Sequence, residues 1–262
     1  MLQLRTFGGL WVSDANRQRV GRSLGRKPLA LLALLARANG QAIARDRLLA
    51  LLWPEKDQGH ARNALNQMIF VIRRSLRSDL LELERHEIAL VAHAWRTDVG
   101  DFERALADQA LERAVALYTG PFLDAFYVPD AGELERWVES ERAALRRKYL
   151  RALERLATAS DSRVDVWAAA GWWQQLALAE PATAQYTFAL MRALASAGED
   201  AAAIDAAQVY ERYVRSELQT GGDPRISAFV YELRHRNATA GATPRHSRLS
   251  LQSQPTARQE RA

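Results

Sequence analysis

The sequence predicts a mainly α protein in two parts. Residues 1–97 read as a small α+β domain of a short sheet, three helices and a hairpin, and residues 98–235 as an all-α domain of repeated helical pairs. Three observations carry this. Alternating apolar stretches bracket three helical ones in the first hundred residues, the helical period runs almost unbroken after residue 98, and the net charge changes sign between the two parts. Residues 1–100 hold 16 Lys+Arg against 9 Asp+Glu, 101–235 hold 15 against 21, and 236–262 hold 5 against 1. With 262 residues and 48% hydrophobic content, the chain can fill one large core or two ordinary ones.

The elements follow in order. "LQLRTFGGLWV" alternates around Gly8-Gly9, and "RQRVGRSLG" follows the turn cluster "SDAN", which together predict a small sheet. Pro28 stands at a first helical position, and "LALLALLARANG" ends at a C-cap glycine, Gly40. "QAIARDRLLALLWPE" reads as a short extended stretch and then a helix stopped by Pro54. A third helix covers "HARNALNQMIFVIRRSLRS", and the alternation of 80–84 and 87–91 on either side of Arg85-His86 predicts a hairpin. Beyond residue 98 a helix or helix pair leads to an aromatic and proline loop, "TGPFLDAFYVPDAG", and then to a long amphipathic helix with Leu134, Trp137, Leu145, Tyr149, Leu153 and Leu156 on its apolar side. Helices over 162–179, 183–197, 200–218 and 225–235 complete a tetratricopeptide-like array, in which the Trp and Tyr residues are expected in the core. Residues 236–262, rich in Ser, Thr, Gln and Arg without an apolar period, are expected to form a disordered basic tail.

The third helix stands out by composition. From 58 to 78 there is no Asp or Glu, in a chain where charged residues make up 26%. At 100° per residue, Arg62, Asn63, Asn66, Gln67, Phe70, Arg73, Arg74 and Arg77 share one arc, and Ala61, Leu65, Met68, Ile69, Ile72 and Leu76 share the other. A solvated surface normally mixes both signs of charge. An arc of guanidinium and amide groups matches base edges and phosphates instead, since Asn and Gln pair bidentately with adenine and Arg with guanine.

The order strand, three helices, hairpin is that of a winged helix-turn-helix, whose third helix enters the major groove of double-stranded DNA and whose hairpin is the wing. The acid-free helix occupies that third position. Asn63, Asn66, Gln67 and Arg74 are expected at bases, and Arg62, Arg73 and Arg77 nearer phosphates; Phe70 on the same arc either meets a thymine methyl or marks a different base-reading set. Arg85 marks the wing tip. Arg26 and Lys27, ahead of the first helix, read equally as phosphate contacts or as plain surface charge.

Other functions are excluded by what is missing. Without cysteine there is no disulfide, thiolate metal site or cysteine nucleophile, and five scattered histidines give no metal-ligand spacing. No metal and no cofactor are expected. "GRSLGRKP" is one residue short of a phosphate-binding loop, with Pro28 where Ser or Thr should hold magnesium, so no enzyme is predicted. The longest apolar run, 29–36, is far too short to span a bilayer, and the N-terminus lacks a signal pattern, so a cytoplasmic protein without membrane contact is expected.

Taken together, "KPLALLALLARANGQAIARDRLLALLWPE", "ARNALNQMIFVIRRSL", "YTGPFLDAFYVPDAGELERWVESERAALRRKYLRALERLA" and "EPATAQYTFALMRALASAGEDAAAIDAAQVYERYVRSEL" resemble the SARP-type bacterial transcriptional activators. These join an OmpR-type winged helix to a bacterial transcriptional activation domain. The resemblance covers about residues 1–235. It implies sequence-specific binding upstream of promoters, often to direct repeats, with recruitment of RNA polymerase; a homodimer on repeated half-sites is a further expectation, in which the helical domain pairs two protomers. Two departures stand out: Phe70 and Val71 replace the small polar or basic residues usual in the family, and "DSRVDVWAAAGWWQQLALA" is less regular than its first repeat. The rival reading is a helical-repeat adaptor whose winged helix binds protein; against it stand the acid-free arc and the basic first domain.

Overall fold

The computed structural model describes residues 1–76 and 80–240. Strands β1 (Leu2–Arg5), β2 (Trp11–Ser13) and β3 (Arg19–Val20) come first, then helix α1 (Arg26–Arg37), strand β4 (Ile43–Ala44) and helices α2 (Arg45–Leu52) and α3 (Gln58–Ser75). Strands β5 (Leu81–Leu83), β6 (Glu87–Leu90) and β7 (Trp95–Thr97) follow. The remainder is helical: α4 (Asp98–Ala107), α5 (Leu111–Leu117), α6 (Gly132–Ser162), α7 (Val166–Ala179), α8 (Ala184–Ser196), α9 (Asp200–Tyr213) continued by a π turn (Val214–Leu218), and α10 (Pro224–Ala240). Among the described residues no helix is long and apolar enough to cross a membrane.

Two small sheets organise the first part. One has the order β3-β2-β1-β7, antiparallel except for β1 and β7, which run parallel with Leu2 opposite Trp95 and Leu4 opposite Thr97. The other has the order β4-β6-β5: the β5–β6 hairpin turns at Arg85-His86 and takes β4 as a third strand. Helix α1 packs against both β6 and α3, and α2 crosses α3. Helix α1 starts at Arg26 with Gly25 as its N-cap, so Pro28 is the third helical residue and not the first. All three first-turn N–H groups lack an intrahelical acceptor, so a proline without an N–H is tolerated anywhere among them.

The two parts are joined by a buried carboxylate. Asp98, 4% exposed, opens α4 directly after β7 and reaches back to the end of β1. It accepts from Thr6 N at 2.9 Å, Thr6 Oγ1 at 2.6 Å and Phe7 N at 3.0 Å. The aromatic loop after α5 closes over the same strand end: Leu123 N donates to Thr6 O at 2.7 Å, and Gly8 N to Pro121 O at 3.0 Å. A Cβ on Gly120 would stand 3.0 Å from Gly8 Cα, so glycine at 120 lets the two backbones touch, while Gly8 supplies a φ of +70°. Arg142 of α6 ties the loop down from outside, donating to the carbonyls of Phe122, at 2.6 Å, and Leu123.

One hydrophobic core therefore runs from Leu4 through α1, α2, α3, α4 and the loop to Leu145 of α6. It crosses the expected boundary at 97/98 without a break. Two further clusters follow, one among α5 to α8 and one among α8, α9, the π turn and α10. The long helix buries Leu134, Leu145, Leu153 and Leu156 as the period predicts, with Trp137 and Tyr149 half-buried.

Two expectations are corrected. Trp167 and Tyr231 are 61% and 64% exposed, although core positions were predicted for them: Trp167 lines an open groove between α7 and α9, and the Tyr231 ring lies against His235 of its own helix. The basic tail does not begin at Arg236, since α10 continues to Ala240. Ile226 and Leu233 anchor this helix in the third cluster, and Arg236 pairs with Asp200, so helix propagates past its last apolar residue. Residues 241–262, the rest of the expected tail, lie outside the described residues.

Replacing Asp98 by Ala strands the Thr6 and Phe7 N–H groups in the core and is expected to cost roughly 3 kcal/mol or more. A urea titration of the full chain should show the midpoint falling while the slope stays constant; an unmoved midpoint would mean that the carboxylate holds nothing together.

Candidate nucleic-acid interface

Helix α3 is a long, well-capped rod. Asp57 accepts from Gly59 N and His60 N, both at 3.1 Å, and pairs with His60 Nδ1 at 2.5 Å. The backbone bond from His60, followed by its ring, holds the Asp57 carboxyl below the usual carboxylate range. An anion of the chain itself thus complements the positive end of the helix. Ala61, Leu65, Met68, Ile69 and Ile72 are buried beneath α1 and α2.

The opposite face is open. Arg62, Asn63, Asn66, Gln67, Phe70 and Arg74 are exposed and Arg73 is half-buried. Arg77 lies outside the described residues. The face divides into two stripes. Asn63, Gln67, Phe70 and Arg74, spaced along one line of the helix, project freely: among the described residues, Asn63, Gln67 and Arg74 have no hydrogen-bond or ion-pair partner, and Phe70 is 63% exposed. Arg62 and Asn66 lie nearer α2 and are engaged by its first turn. Arg62 faces Asp46 at 3.7 Å, with both side chains more than half exposed, and Arg45 donates to Asn66 Oδ1 at 3.1 Å. Such an exposed ion pair is worth well under about 1 kcal/mol, so Arg62 can exchange Asp46 for another anion cheaply. The Arg73 Nε is buried without a partner, so its stem packs against the helix and only its tip is available.

The remaining predicted residues sit apart from this face. Arg85 is exposed at the wing turn, closed by Glu84 N donating to Glu87 O at 3.0 Å, with Glu82, Glu84 and Glu87 exposed around it. Arg26 donates to Tyr127 O at 2.7 Å, tying α1 to the aromatic loop. Lys27 lies 5.3 Å from the Trp53 ring; burial there, and then Lys56, push its amine below the usual lysine range while Asp130 pulls the other way. Lys27 and Lys56 thus stand together beside the α2–α3 turn. Sequence reasoning missed Arg45 and Lys56, whose only signals were their places at the start and just past the end of the second helix.

The comparisons agree with this architecture. Residues 78–234 match the family described as bacterial transcriptional activator domain, and residues 20–106 match that described as transcriptional regulatory protein, C terminal. The first match spans more than half of the chain, and the chain belongs to that family of transcriptional regulators, with the SARP-type order of an OmpR-like DNA-binding domain and an activator domain. The two matched segments overlap over 78–106, where the wing, β7 and α4 share one core. Among solved structures the chain is similar to Mycobacterium tuberculosis EmbR in complex with a low affinity phosphopeptide, with a TM-score of 0.60 and 19% identity over 90% of this chain and 65% of that one. At this identity the likeness is one of fold, and the chain spans about two thirds of that structure's length. No curated protein matches the chain.

Phe70 is a large apolar side chain held in solvent, so Phe70→Ala should change the free energy of unfolding by no more than about 0.5 kcal/mol, where a core phenylalanine would lose about 3–5 kcal/mol. Thermal melting of the variant distinguishes the two cases; a loss of core size would remove Phe70 from the open face.

Proposed function

We propose that this regulator binds double-stranded DNA sequence-specifically through α3 and activates transcription by holding RNA polymerase at the promoter with its helical domain. The observation that carries the DNA reading is the open, acid-free stripe of Asn63, Gln67, Phe70 and Arg74 on a helix otherwise buried by α1 and α2. Donors, amides and one apolar ring, presented without internal partners among the described residues, suit the major groove. Arg62 and Arg73 flank the stripe toward phosphates, Arg85 is placed for the backbone beside the groove, and the Lys27–Lys56 pair offers a further phosphate contact.

The helical domain is suited to protein. Residues 101–235 carry 21 acids against 15 bases, which disfavours contact with DNA. Between α7 and α9, over α8, lies an apolar groove of about 560 Å³ lined by Trp167, Gly171, Leu178, Leu190, Val209 and Tyr213. Leu178 and Val209 are 72% and 53% exposed, and exposed apolar patches of this kind mark interaction surfaces. Two copies on adjacent half-sites about one helical turn apart would place two such domains side by side.

Arg74→Ala is expected to weaken binding to a selected operator by about 1–3 kcal/mol and to random duplex by much less. Gel shifts across salt concentrations should give a straight line in log affinity against log salt, with a slope of about one unit per phosphate contact. Affinity independent of salt would exclude DNA as the partner.

Leu178→Glu places a charge in the apolar groove. In a purified transcription system it should abolish stimulation while operator affinity stays within about twofold, as expected for a surface change remote from α3. Full activation by this variant would take the groove out of the activation mechanism.

A further inference from the structure

Arg45 is held from two sides. Its backbone N–H donates to the carbonyl of His86 in the wing turn at 2.8 Å, and the preceding Ile43 and Ala44 pair with β6. Its side chain lies against α3, where one terminal nitrogen donates to Asn66 Oδ1 at 3.1 Å and Nε is buried without a partner. Among the described residues Asn66 is the only hydrogen-bond partner of this guanidinium. A guanidinium carries donors and no acceptor. The amide atom facing Arg45 must therefore be oxygen, and the NH2 of Asn66 is turned away from α2.

That orientation alters what Asn66 can read. A free asparagine selects adenine because its carbonyl accepts from the N6 amino group while its NH2 donates to N7. At Asn66 the carbonyl already accepts from a cation, and an adenine amino group brought to it meets the guanidinium donor against donor. The edge offered by the pair consists of the Asn66 NH2 and the N–H groups of Arg45. Guanine alone presents two adjacent acceptors, O6 and N7, in the major groove; adenine and thymine offer one each and cytosine a donor. Asn63, one turn earlier on the same arc, has no internal partner among the described residues and keeps both its acceptor and its donor, so the two asparagines of one helix are not equivalent.

We propose that Arg45 is a specificity-determining positioning residue, which by holding Asn66 Oδ1 turns an adenine-reading amide into a guanine-reading one. The inference rests on the DNA-binding reading of α3. The wing enters it too, because the bond from Arg45 N to His86 and the β4–β6 pairing fix where the guanidinium starts.

Selection of bound sequences from a random duplex pool by the full chain tests this. Asn66→Ala identifies the operator position that Asn66 reads, as the position whose preference collapses. There the wild type should favour guanine over adenine by about tenfold, within the range of one good base contact, and Arg45→Met should move the preference to adenine. Arg45→Lys, which keeps a donor on a long stem, should restore guanine. In the Asn66→Ala background Arg45→Met should change no base preference, since the two act as one unit. Melting curves of each variant check the fold; if Arg45→Met melts early, Arg45→Gln takes its place, with loss of the guanine preference expected. Retention of guanine by the uncharged variants, or an equal loss of affinity on every sequence, would make Arg45 a phosphate contact and overturn the proposal alone. A wild-type chain that enriches no motif overturns the DNA-binding reading and this proposal with it.

Discussion

The carboxylate of Asp98 is the constraint on which the rest of the molecule depends. It ends β7, begins α4 and accepts from Thr6 and Phe7 at the end of β1, all in a place water does not reach. An ionised group there is stable only while its donors are in place. The first strand, the end of the winged-helix domain and the start of the helical domain are therefore fixed by one set of bonds. The aromatic loop reinforces the junction from the other side, through the close approach of Gly8 to Gly120 and the Arg142 clamp. A third tie runs over the surface, where Arg37 of α1 meets Glu141 of α6 at 2.5 Å and Glu103 of α4 at 3.5 Å. The winged-helix and helical parts thus share one core, and the two family patterns overlap across 78–106, where that core passes from one part to the other.

A consequence reaches the open face of α3. Helix α2, which carries Arg45 and Asp46, packs on α3 and also on α6. The first turn of α2 decides which polar groups of α3 are occupied and which are open: Asp46 faces Arg62, Arg45 holds Asn66, and Asn63, Gln67 and Arg74 are left without internal partners among the described residues. Buried apolar residues fix the rotation of α3 about its axis, and the polar residues of α2 then divide its exposed face into restrained and free side chains. Restraint lowers the entropy lost on binding and narrows what a side chain can pair with.

The helical array shows the complementary behaviour. After the long α6, helices α7 to α9 are short and rich in alanine, and neighbours bury apolar faces against one another. Where the stacking leaves α7 and α9 side by side, Trp167, Leu178 and Val209 have no helix to cover them. A hydrophobic face that stacking does not use is one the chain keeps for something else.

The sequence by itself determined the elements and their kinds. The alternation of "LELERHEIALV" specified a hairpin turning at Arg85-His86, the 3.6 period specified α3 and its buried side, and the missing acids singled out the face that is open. These are local properties, set by residue spacing along one strand or helix. What only the tertiary structure decided depends on groups far apart in the chain. The parallel pairing of β1 with β7, the bond from Thr6 to Asp98, the addition of β4 to the wing and the grip of Arg45 on Asn66 join residues between 21 and 93 positions apart. No periodicity encodes such a meeting, because it is the packing of whole elements that brings the partners within hydrogen-bonding distance. The same reason explains Trp167 and α10: composition marks a residue as apolar or a segment as polar, but which face finds a neighbour, and how far a helix runs past its last anchor, is fixed by what packs against it.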